Sequence, residues 1–257
     1  MMDGIASLQS MERGVLRVLF AGNKRDRVLI ECVLEDHLGD AAADSQETPS
    51  VARLDHGVFT ILGGDPHHPL ALELIRYRPI LFVSPESEVW RQLLESEFGE
   101  RITPLTYITF DSRSLDVDHL KALAGQPLGD YEIKKMDLPL AAQLLEDFDS
   151  DEFIDSFESI EDFAARGVGY LALHQGVVVS AATSFAASSR SIDIDIQTQP
   201  AHRQKGLAVL VGARLLLDCL ESYIEPHWLA ANQASEKLAL KLGFTKGDTY
   251  DTLMIEE

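Results

Sequence analysis

The pattern of hydrophobic and polar positions predicts alternating strands and helices along the chain. Alternation of apolar and polar residues is typical of half-buried strands, and apolar residues three or four positions apart are typical of helices. In the C-terminal half the predicted elements are a strand at 131–135, a helix and two acidic turns at 137–163, strands at 167–174, 177–185 and 192–198, a helix at 205–223, a strand at 227–232, a helix at 235–242 and a last strand pair. This order predicts an α/β (α+β) fold with a mixed sheet.

The N-terminal half has a similar but weaker pattern. Its predicted elements are two helices at 5–38 that separate near Gly22, a loop at 39–50, strands at 51–56 and 57–64, an apolar segment at 70–75, a strand at 79–84, a helix at 87–99 and a strand at 102–110. A turn cluster at 126–130 suggests two domains, 1–127 and 128–257. Both halves contain a strand pair followed by helix, strand, helix and strand, which would fit a distant structural repeat, although no sequence identity supports one.

Composition limits the classes of partner. Of the 257 residues, 46% are apolar and 25% are charged, as in ordinary globular proteins. The net charge of −20 opposes binding to nucleic acid or to an anionic membrane. It would favour cationic partners, but excess acid also serves solubility alone.

Membrane and disulfide signals are weak. The most apolar stretch, 206–217, contains Arg214 and is shorter than the ~20 residues of a membrane span. The N-terminus has no signal-peptide pattern. Cys32 and Cys219 form neither a disulfide framework nor a zinc motif, and we expect Cys219 to be a small buried hydrophobic residue. These features together predict a cytoplasmic protein.

The segment 192–208 (IDIDIQTQPAHRQKGLA) combines a strand end, a proline turn and the start of a long helix. A helix start presents amide N–H groups without intrahelical partners and the positive end of the helix dipole, which together suit a phosphate. Gly206 allows the backbone to approach a ligand closely. His202, Arg203 and Lys205 add local positive charge. From the residues alone, a phosphate-binding loop and a basic surface turn without a ligand are equally good interpretations.

Arg203-x-x-Gly206-x-Ala208, after a strand and before a long helix, resembles the acyl-CoA signature of the GNAT superfamily of N-acetyltransferases. Residues 232–244 (NQASEKLALKLGF) resemble the second motif of the superfamily at the expected distance. With the strands GVGYLALHQGVVVSAATSF and IDIDIQT, these motifs are most similar to GNAT proteins of the zwittermicin-resistance type. The resemblance is strong over residues 130–257 and weak before them. It implies a GNAT fold for the C-terminal half, and a degenerate α/β N-terminal half for which a GNAT-like fold stays open.

The resemblance also implies a set of binding residues. Acetyl-CoA, the co-substrate, would lie in a cleft between two splayed strands, with its carbonyl held by the backbone of Ile196, Gln197 and Thr198. Its pyrophosphate would contact the amides of Arg203, Gln204, Lys205, Gly206, Leu207 and Ala208. Asn232, with Ser235, would contact the pantetheine arm. Asn232 also suits the N-cap of a helix, and the two roles are compatible.

Acetyl transfer to an amine needs a neutral nitrogen and a donor for the charge that develops on the carbonyl oxygen. Asp193 and Asp195 share one strand face with Gln197, so that they could recruit a protonated amine and relay its proton. His227, on the strand that leads to Asn232, is a further candidate base. A solvent-facing strand face and a hydrogen-bonded structural histidine are the alternative interpretations of these residues.

One position departs from the family pattern. Many GNAT enzymes have a tyrosine seven residues after the asparagine, where it protonates the departing thiolate, but this chain has Ala239 there. Tyr250, Ser235 or water would have to replace it, or catalysis is weak. An alternative function, a GNAT-fold module that binds acyl-CoA as a sensor or interaction platform, therefore stays open.

Residues 130–162 hold twelve acidic residues and two lysines. In GNAT proteins the corresponding helices flank the acceptor site, so an acidic rim would attract a cationic amine, as in an aminopolyol or aminoglycoside-like compound. Solvated helix faces are the commoner explanation of such a charge run.

The N-terminal half has no equivalent signature. The loop 63–68 (GGDPHH) lacks the R-x-x-G-x-A spacing, and its histidines have no second ligand cluster that would indicate a metal. We expect this half to be a non-catalytic domain that shapes the acceptor cleft or an interface of a homo-oligomer. The sequence thus predicts an acetyl-CoA-dependent N-acetyltransferase of small-molecule primary amines, with aminopolyol-type antibiotics among the candidate acceptors.

Overall fold

The computed structural model describes residues 5–8, 10–127 and 129–256. The chain folds into two compact units, of which the first ends at Tyr107 and resumes at Thr249, and the second is Ile108–Asp248. The division therefore precedes the boundary expected at 127/128. The physical reason is helix α4 (Val117–Ala124), which packs against the long helix of the second unit and so belongs to it.

The first unit contains a sheet in the order β1-β2-β3-β4-β5-β12. Its described strands are β1 (Ala6–Leu8), β2 (Asp40–Ala43), β3 (Val51–His56), β4 (Phe59–Gly64), β5 (Phe82–Val83) and the end of β12 (Thr245–Ile255). Neighbours pair in antiparallel sense, apart from the parallel pair of β4 and β5. Its described helices are a 3-10 helix (Ser10–Phe20), α1 (Arg27–Leu34), α2 (Ala71–Arg76), α3 (Glu88–Phe98) and a short 3-10 turn (Gly99–Arg101).

A buried arginine joins strand and helix in the first unit. Arg53 of β3 is 1% exposed, and its guanidinium donates to the carbonyls of Leu74 and Ile75 at the end of α2 and to the carboxylate of Asp55. The charge is paired and its N–H groups have acceptors, as burial requires. Arg53 therefore fixes α2 on the sheet.

The second unit contains a sheet in the order β6-β11-β10-β9-β8-β7. Its described strands are β7 (Tyr131–Lys135), β8 (Gly169–His174), β9 (Val177–Ala187), β10 (Ser191–Thr198), β11 (Glu225–Ala230) and the end of β6 (Ile102–Asp111). Neighbours are antiparallel apart from β10 and β11. Its described helices are α4, α5 (Leu138–Phe148), α6 (Ile160–Arg166), α7 (Leu207–Glu221), α8 (Gln233–Leu242) and 3-10 turns at Ser112–Ser114, Glu152–Ile154 and Pro200–His202.

Local sequence explains several of these elements. The tight turn between β8 and β9 places Gln175 and Gly176 at φ 52° and 85°, the two positive φ values that a type I′ hairpin needs. Asp137 caps α5, because its carboxylate accepts the N–H of Leu140 at 3.0 Å. The apolar helix α7 is largely buried against the sheet and α4, and Cys219 lies in this core. Burial raises the pKa of the Cys219 thiol to about 12, so it is unreactive, as expected of a small core residue.

The two units repeat the same strand order and the same pairing senses. In each unit, four strands pair in antiparallel sense, a helix leads to a fifth strand parallel to the fourth, and a sixth strand is antiparallel to the fifth. The sixth strand of each unit comes from the other half of the chain, β12 in the first and β6 in the second. The mixed α/β sheet is thus present, and the structural repeat that the sequence left open is confirmed by the common strand order.

Some predicted elements were wrong. The expected loop at 39–50 contains β2, whose three alanines are buried, because pairing with β1 and β3 outweighs the low strand propensity of alanine. The first of the two expected N-terminal helices is β1 followed by a 3-10 helix. The last strand pair is one strand, β12. Gly247, within this strand, allows the side chain of Thr109 to approach closely. Among the described residues, no helix combines the length and hydrophobicity needed to cross a bilayer.

Candidate active site

The parallel strands β10 and β11 separate part-way along their length. Their described register contains three pairs and ends with Asp193 opposite His227. Beyond that point β10 continues with β9 as far as Thr198, whereas β11 continues with β6 as far as Ala230. Within the described residues, the edge of β10 after Asp193 therefore has no partner strand on this side, which creates the cleft between splayed strands that the resemblance implied.

Asp193 and His227 form a hydrogen-bonded dyad where the strands separate. His227 Nδ1 lies 2.7 Å from Asp193 Oδ1, and the side chains are 16% and 11% exposed. A carboxylate at Nδ1 fixes the orientation and tautomer of an imidazole, so that Nε2 can act on a proton. The sequence named both residues separately as candidates, but not their pairing, which depends on the parallel register of strands 34 residues apart.

Asp195 lies two residues further along β10, on the same strand face. Burial raises the pKa of its carboxyl above the usual value, and the charge of Glu152 raises it further. Hydrogen bonds from the Gln197 side chain, at 3.0 Å, and from the backbone of Ile196 act in the opposite direction. The carboxylate therefore lies in a place that disfavours its charged form.

The opposite face of β10 packs on α7. Ile196 lies so close to Gly212 that a Cβ there would be 2.9 Å from Ile196 Cδ1. The Thr198 hydroxyl is 2.7 Å from that of Ser180, and Ser180 also donates to the carbonyl of Gln197 at 3.1 Å. The end of β10, which is expected to hold the acetyl carbonyl, is thus held in place by packing on α7 and by hydrogen bonds to Ser180 of β9.

The loop before α7 has the backbone that a phosphate site needs. Gln204 and Gly206 have φ 62° and 83°, and Gly206 is the N-cap of α7 with no side-chain cap. Nothing lies within 4 Å of the place where a Cβ of Gly206 would be, so the first-turn amides are reached through open space. Leu207 is buried, and only its backbone can serve a ligand. Arg203 donates from Nε to the Thr198 carbonyl at 3.0 Å. The arrangement fits a pyrophosphate.

A group of aromatic and basic side chains supports this loop. Lys205 Nζ donates to the hydroxyl of Tyr131 at 3.0 Å, and that hydroxyl is 2.9 Å from His202 Nδ1. The ring of His174 packs on Tyr131 and His202. Loss of hydration, and then the charges of Lys205 and His174, lower the pKa of His202. Sequence reasoning missed Tyr131, because no motif connects β7 with the loop.

Asn232 and Ser235 have the geometry of a helix start. The side-chain amide oxygen of Asn232, Oδ1, accepts the N–H of Ser235 at 2.9 Å, which makes Asn232 the N-cap of α8. Ser235 Oγ accepts the indole N–H of Trp228 at 3.1 Å. The amide nitrogen of Asn232 and the hydroxyl proton of Ser235 are not used by these bonds. The capping interpretation is confirmed, and contact with the pantetheine arm stays a prediction.

The equivalent loop of the first unit differs chemically. In 63–68 the Asp65 carboxylate accepts the N–H of His67 at 2.9 Å, and Pro66 has no N–H. A phosphate would meet a negative charge and fewer donors there. The ring of Phe20 also occupies the space beside Gly63. Within the described residues, no group of three or more His, Cys, Asp and Glu side chains is arranged to hold a metal ion.

Comparison with known proteins agrees with this geometry. A sequence model of the GNAT acetyltransferase family matches residues 17–253. The chain belongs to the GNAT acetyltransferase family. A GCN5-related N-acetyltransferase-like protein from Streptococcus suis 89/1591 matches this GNAT chain with a TM-score of 0.80 and 30% identity, over 96% of this chain and 100% of that one.

Two further relatives are more distant or partial. A tandem GNAT protein from the clavulanic acid biosynthesis pathway has a TM-score of 0.64 at 13% identity over 97% of each chain, which shows a common fold. The N-acetyltransferase YdfB of Bacillus subtilis (strain 168) is 36% identical over 105 residues, so this GNAT chain spans about two fifths, 40%, of that relative's length.

The GNAT position that often holds tyrosine lies in the core. Ala239 on α8 is 0% exposed. Of the residues considered as replacements, Ser235 lies on the first turn of α8, whereas Tyr250 belongs to the first unit, where Arg25 covers its ring and Tyr107 stacks on it. Of these two replacements, Ser235 is therefore the one whose hydroxyl lies on α8, the helix that also contains Ala239.

Proposed function

We propose that this protein is an acetyl-CoA-dependent N-acetyltransferase whose acceptor is a primary amine of a small molecule. The observation that carries the proposal is the Asp193–His227 dyad at the point where β10 and β11 separate. The acetyl group would be held along the free edge of β10. The dyad therefore places a base at the point where an acceptor nitrogen would meet that acetyl group.

The dyad supplies the proton transfer that the reaction needs. An ammonium must lose a proton before its nitrogen can attack, and a histidine oriented by a carboxylate is a suitable acceptor near neutral pH. His227 Nε2 takes that proton while Asp193 holds the ring through Nδ1. No covalent bond to the protein forms, which agrees with the buried, unreactive Cys219.

The loop before α7 supplies the binding of the co-substrate. The amides of residues 203–208, with Gly206 in the left-handed conformation, would hold the pyrophosphate, and Lys205 would add charge. Acetyl-CoA supplies an acetyl thioester: the amine nitrogen forms the new C–N bond, the C–S bond breaks, and the thiolate leaves. Thiols have a pKa of about 8.5, so this leaving group needs little assistance near neutrality. Ser235 or water would return the proton.

The buried Ala239 favours a second candidate function. Without the usual tyrosine, a GNAT fold could bind acyl-CoA as a sensor or interaction module and turn over slowly. The two candidates differ in amine-dependent release of thiol, because only the enzyme produces it.

The test is thiol release from acetyl-CoA across a panel of amines, with Asp193→Asn and His227→Gln as variants. Asp193→Asn keeps the shape of the side chain but removes the charge at Nδ1, so we expect kcat to fall about 100-fold or more. His67→Gln, at an exposed histidine of the first unit, is the matched control. Saturable acetyl-CoA binding without release for any amine would favour the binding module instead.

A further inference from the structure

Strand β7 has one edge that no other described strand covers. It is the last strand of the sheet of the second unit, where β8 pairs with it on the inner side. Directly after β7, the N–H of Met136 donates to the carbonyl of Gly169 on β8 at 2.8 Å. Because the backbone groups of an antiparallel strand point alternately to its two sides, every second residue of β7 directs its N–H and C=O away from β8. These outward residues are Tyr131, Ile133 and Lys135.

The outward backbone groups of β7 have no hydrogen-bond partner in the part of the chain that the structure describes. Such an edge is a template for another strand, and native proteins often protect it with lysines. The edge of β7 instead has charges of both signs. Glu132 and Lys134 are exposed and form an ion pair at 3.0 Å, and Lys135 is paired with Asp218 of α7 at 2.6 Å. The charges of this strand therefore balance locally, although the whole chain is strongly acidic.

The sequence of β7 is complementary to itself in one register. In a two-fold symmetric antiparallel pair centred on Ile133, each outward residue lies opposite an outward residue of the second copy, so the two strands exchange hydrogen bonds. The same register places Glu132 opposite the partner subunit's Lys134, and Lys134 opposite the partner subunit's Glu132. These two are the closely spaced, non-hydrogen-bonded pairs, in which opposite charges stabilise a sheet.

The other registers of the same strand are unfavourable. A pair centred on Glu132 or on Lys134 would place two like charges directly opposite each other, which is destabilising. A pair centred between two residues would place outward residues opposite inward ones, so their hydrogen bonds would not form. A pair centred on Tyr131 or on Lys135 would leave most of the strand without a partner. Hydrogen bonding and charge therefore select the register centred on Ile133.

We propose that β7 is the interface of a homodimer, in which the β7 strands of two copies of this chain pair in antiparallel sense about Ile133. The sheet of the second unit then continues from one copy into the other. Each strand contributes five residues, which make a small interface. We therefore expect a dimer that dissociates on dilution, with a Kd on the order of 10 µM. The proposal concerns assembly, so it does not depend on acetyl transfer.

Sedimentation velocity of the full chain, at concentrations from about 1 to about 200 µM, tests the assembly directly. We expect the wild type to shift from the mass of one chain to the mass of two over this range. Glu132→Lys and Lys134→Glu each place two like-charge pairs in the interface, so each should weaken dimerisation about tenfold or more. Glu158→Lys and Lys237→Glu make the same changes of charge at other exposed positions of the second unit, and these matched controls should dimerise as the wild type does.

An equimolar mixture of the two single variants separates strand pairing from a loss of folding. In a mixed dimer, both charges of the Glu132→Lys chain face the opposite charges of the Lys134→Glu chain. We therefore expect the mixture to dimerise about as well as the wild type, and the double variant with both changes to do so on its own. Variants that had simply misfolded would not recover in the mixture.

Ile133→Pro tests the backbone contacts at the centre of the interface. The N–H that proline removes points away from β8, so the ladder within the second unit keeps its hydrogen bonds while the interface loses a central donor from each copy. We expect this variant to be monomeric, and circular dichroism checks that it folds. A wild type that stays monomeric over the whole concentration range would overturn the proposal. So would a dimer or larger assembly that the charge reversals and Ile133→Pro leave unchanged.

Discussion

The loop conformation at Gly206 gives the sharpest prediction about co-substrate binding. Its φ of 83° lies in the left-handed region, which costs most L-residues about 1–2 kcal/mol and a β-branched residue more. No atom lies within 4 Å of the place of a Cβ, so a substitution here changes backbone preference without a steric clash. The effect of a variant can therefore be worked out from φ alone.

We expect Gly206→Val to weaken acetyl-CoA binding about tenfold or more. Returning a valine to the left-handed conformation of the binding loop costs about 1.4 kcal/mol or more, and 1.4 kcal/mol corresponds to a factor of ten in Kd. Gly206→Ala should have a smaller effect. Gly206→Asn is the matched control, since asparagine tolerates the left-handed region and should keep most of the affinity.

Calorimetry with acetyl-CoA measures the three Kd values, and circular dichroism checks that each variant folds. An unchanged Kd in a folded Gly206→Val protein would refute the assignment of this loop and place the co-substrate elsewhere. Equal losses in the asparagine and valine variants would refute the argument from φ, and would instead indicate that bound ligand occupies the space beside Gly206.

Three further predictions concern other side chains. Asp195→Asn should raise the free energy of unfolding at neutral pH. The pKa of Asp195 is raised by folding, so the wild-type protein loses stability as the pH rises from about 4, by at most ~1.4 kcal/mol per pH unit. The asparagine variant does not have this loss, so its advantage should vanish in acid. Denaturant titrations at several pH values check this. Tyr131→Phe should weaken acetyl-CoA binding about fivefold, the value of one net hydrogen bond, because Lys205 and His202 lose their common partner. Arg53→Met should lower stability by about 3 kcal/mol or more, measured by urea unfolding, since it removes the cationic partner of Asp55 and leaves the carbonyls of Leu74 and Ile75 without this donor in the first unit.

The sequence predicted the second unit well because its signals are local. The hairpin at Gln175, the alternating strand at 191–198 and the cap at Asn232 each follow from a few neighbouring residues. The loop with Gly206 also has a local signature, which made its resemblance to the GNAT motif informative.

The features that sequence missed depend on pairing over long distances. Alanines at 41–43 have little strand propensity and become β2 through their neighbours. The bond between Asp193 and His227, and the position of Thr183 opposite Asp195, follow from strand register, which no local pattern determines. The division of the chain also depends on pairing between distant segments, because β6 and β12 each complete the sheet of the other half.

The use of acetyl-CoA by this protein is tested most directly by the stoichiometry of acetyl-CoA binding, measured by calorimetry on the purified protein beside desulfo-CoA and ATP controls. The open loop before α7 and the Asp65-blocked loop of the first unit together predict one selective site per chain. Two sites per chain would contradict the assignment of the first unit as non-catalytic. No binding by folded protein would contradict the central claim that this chain uses acetyl-CoA.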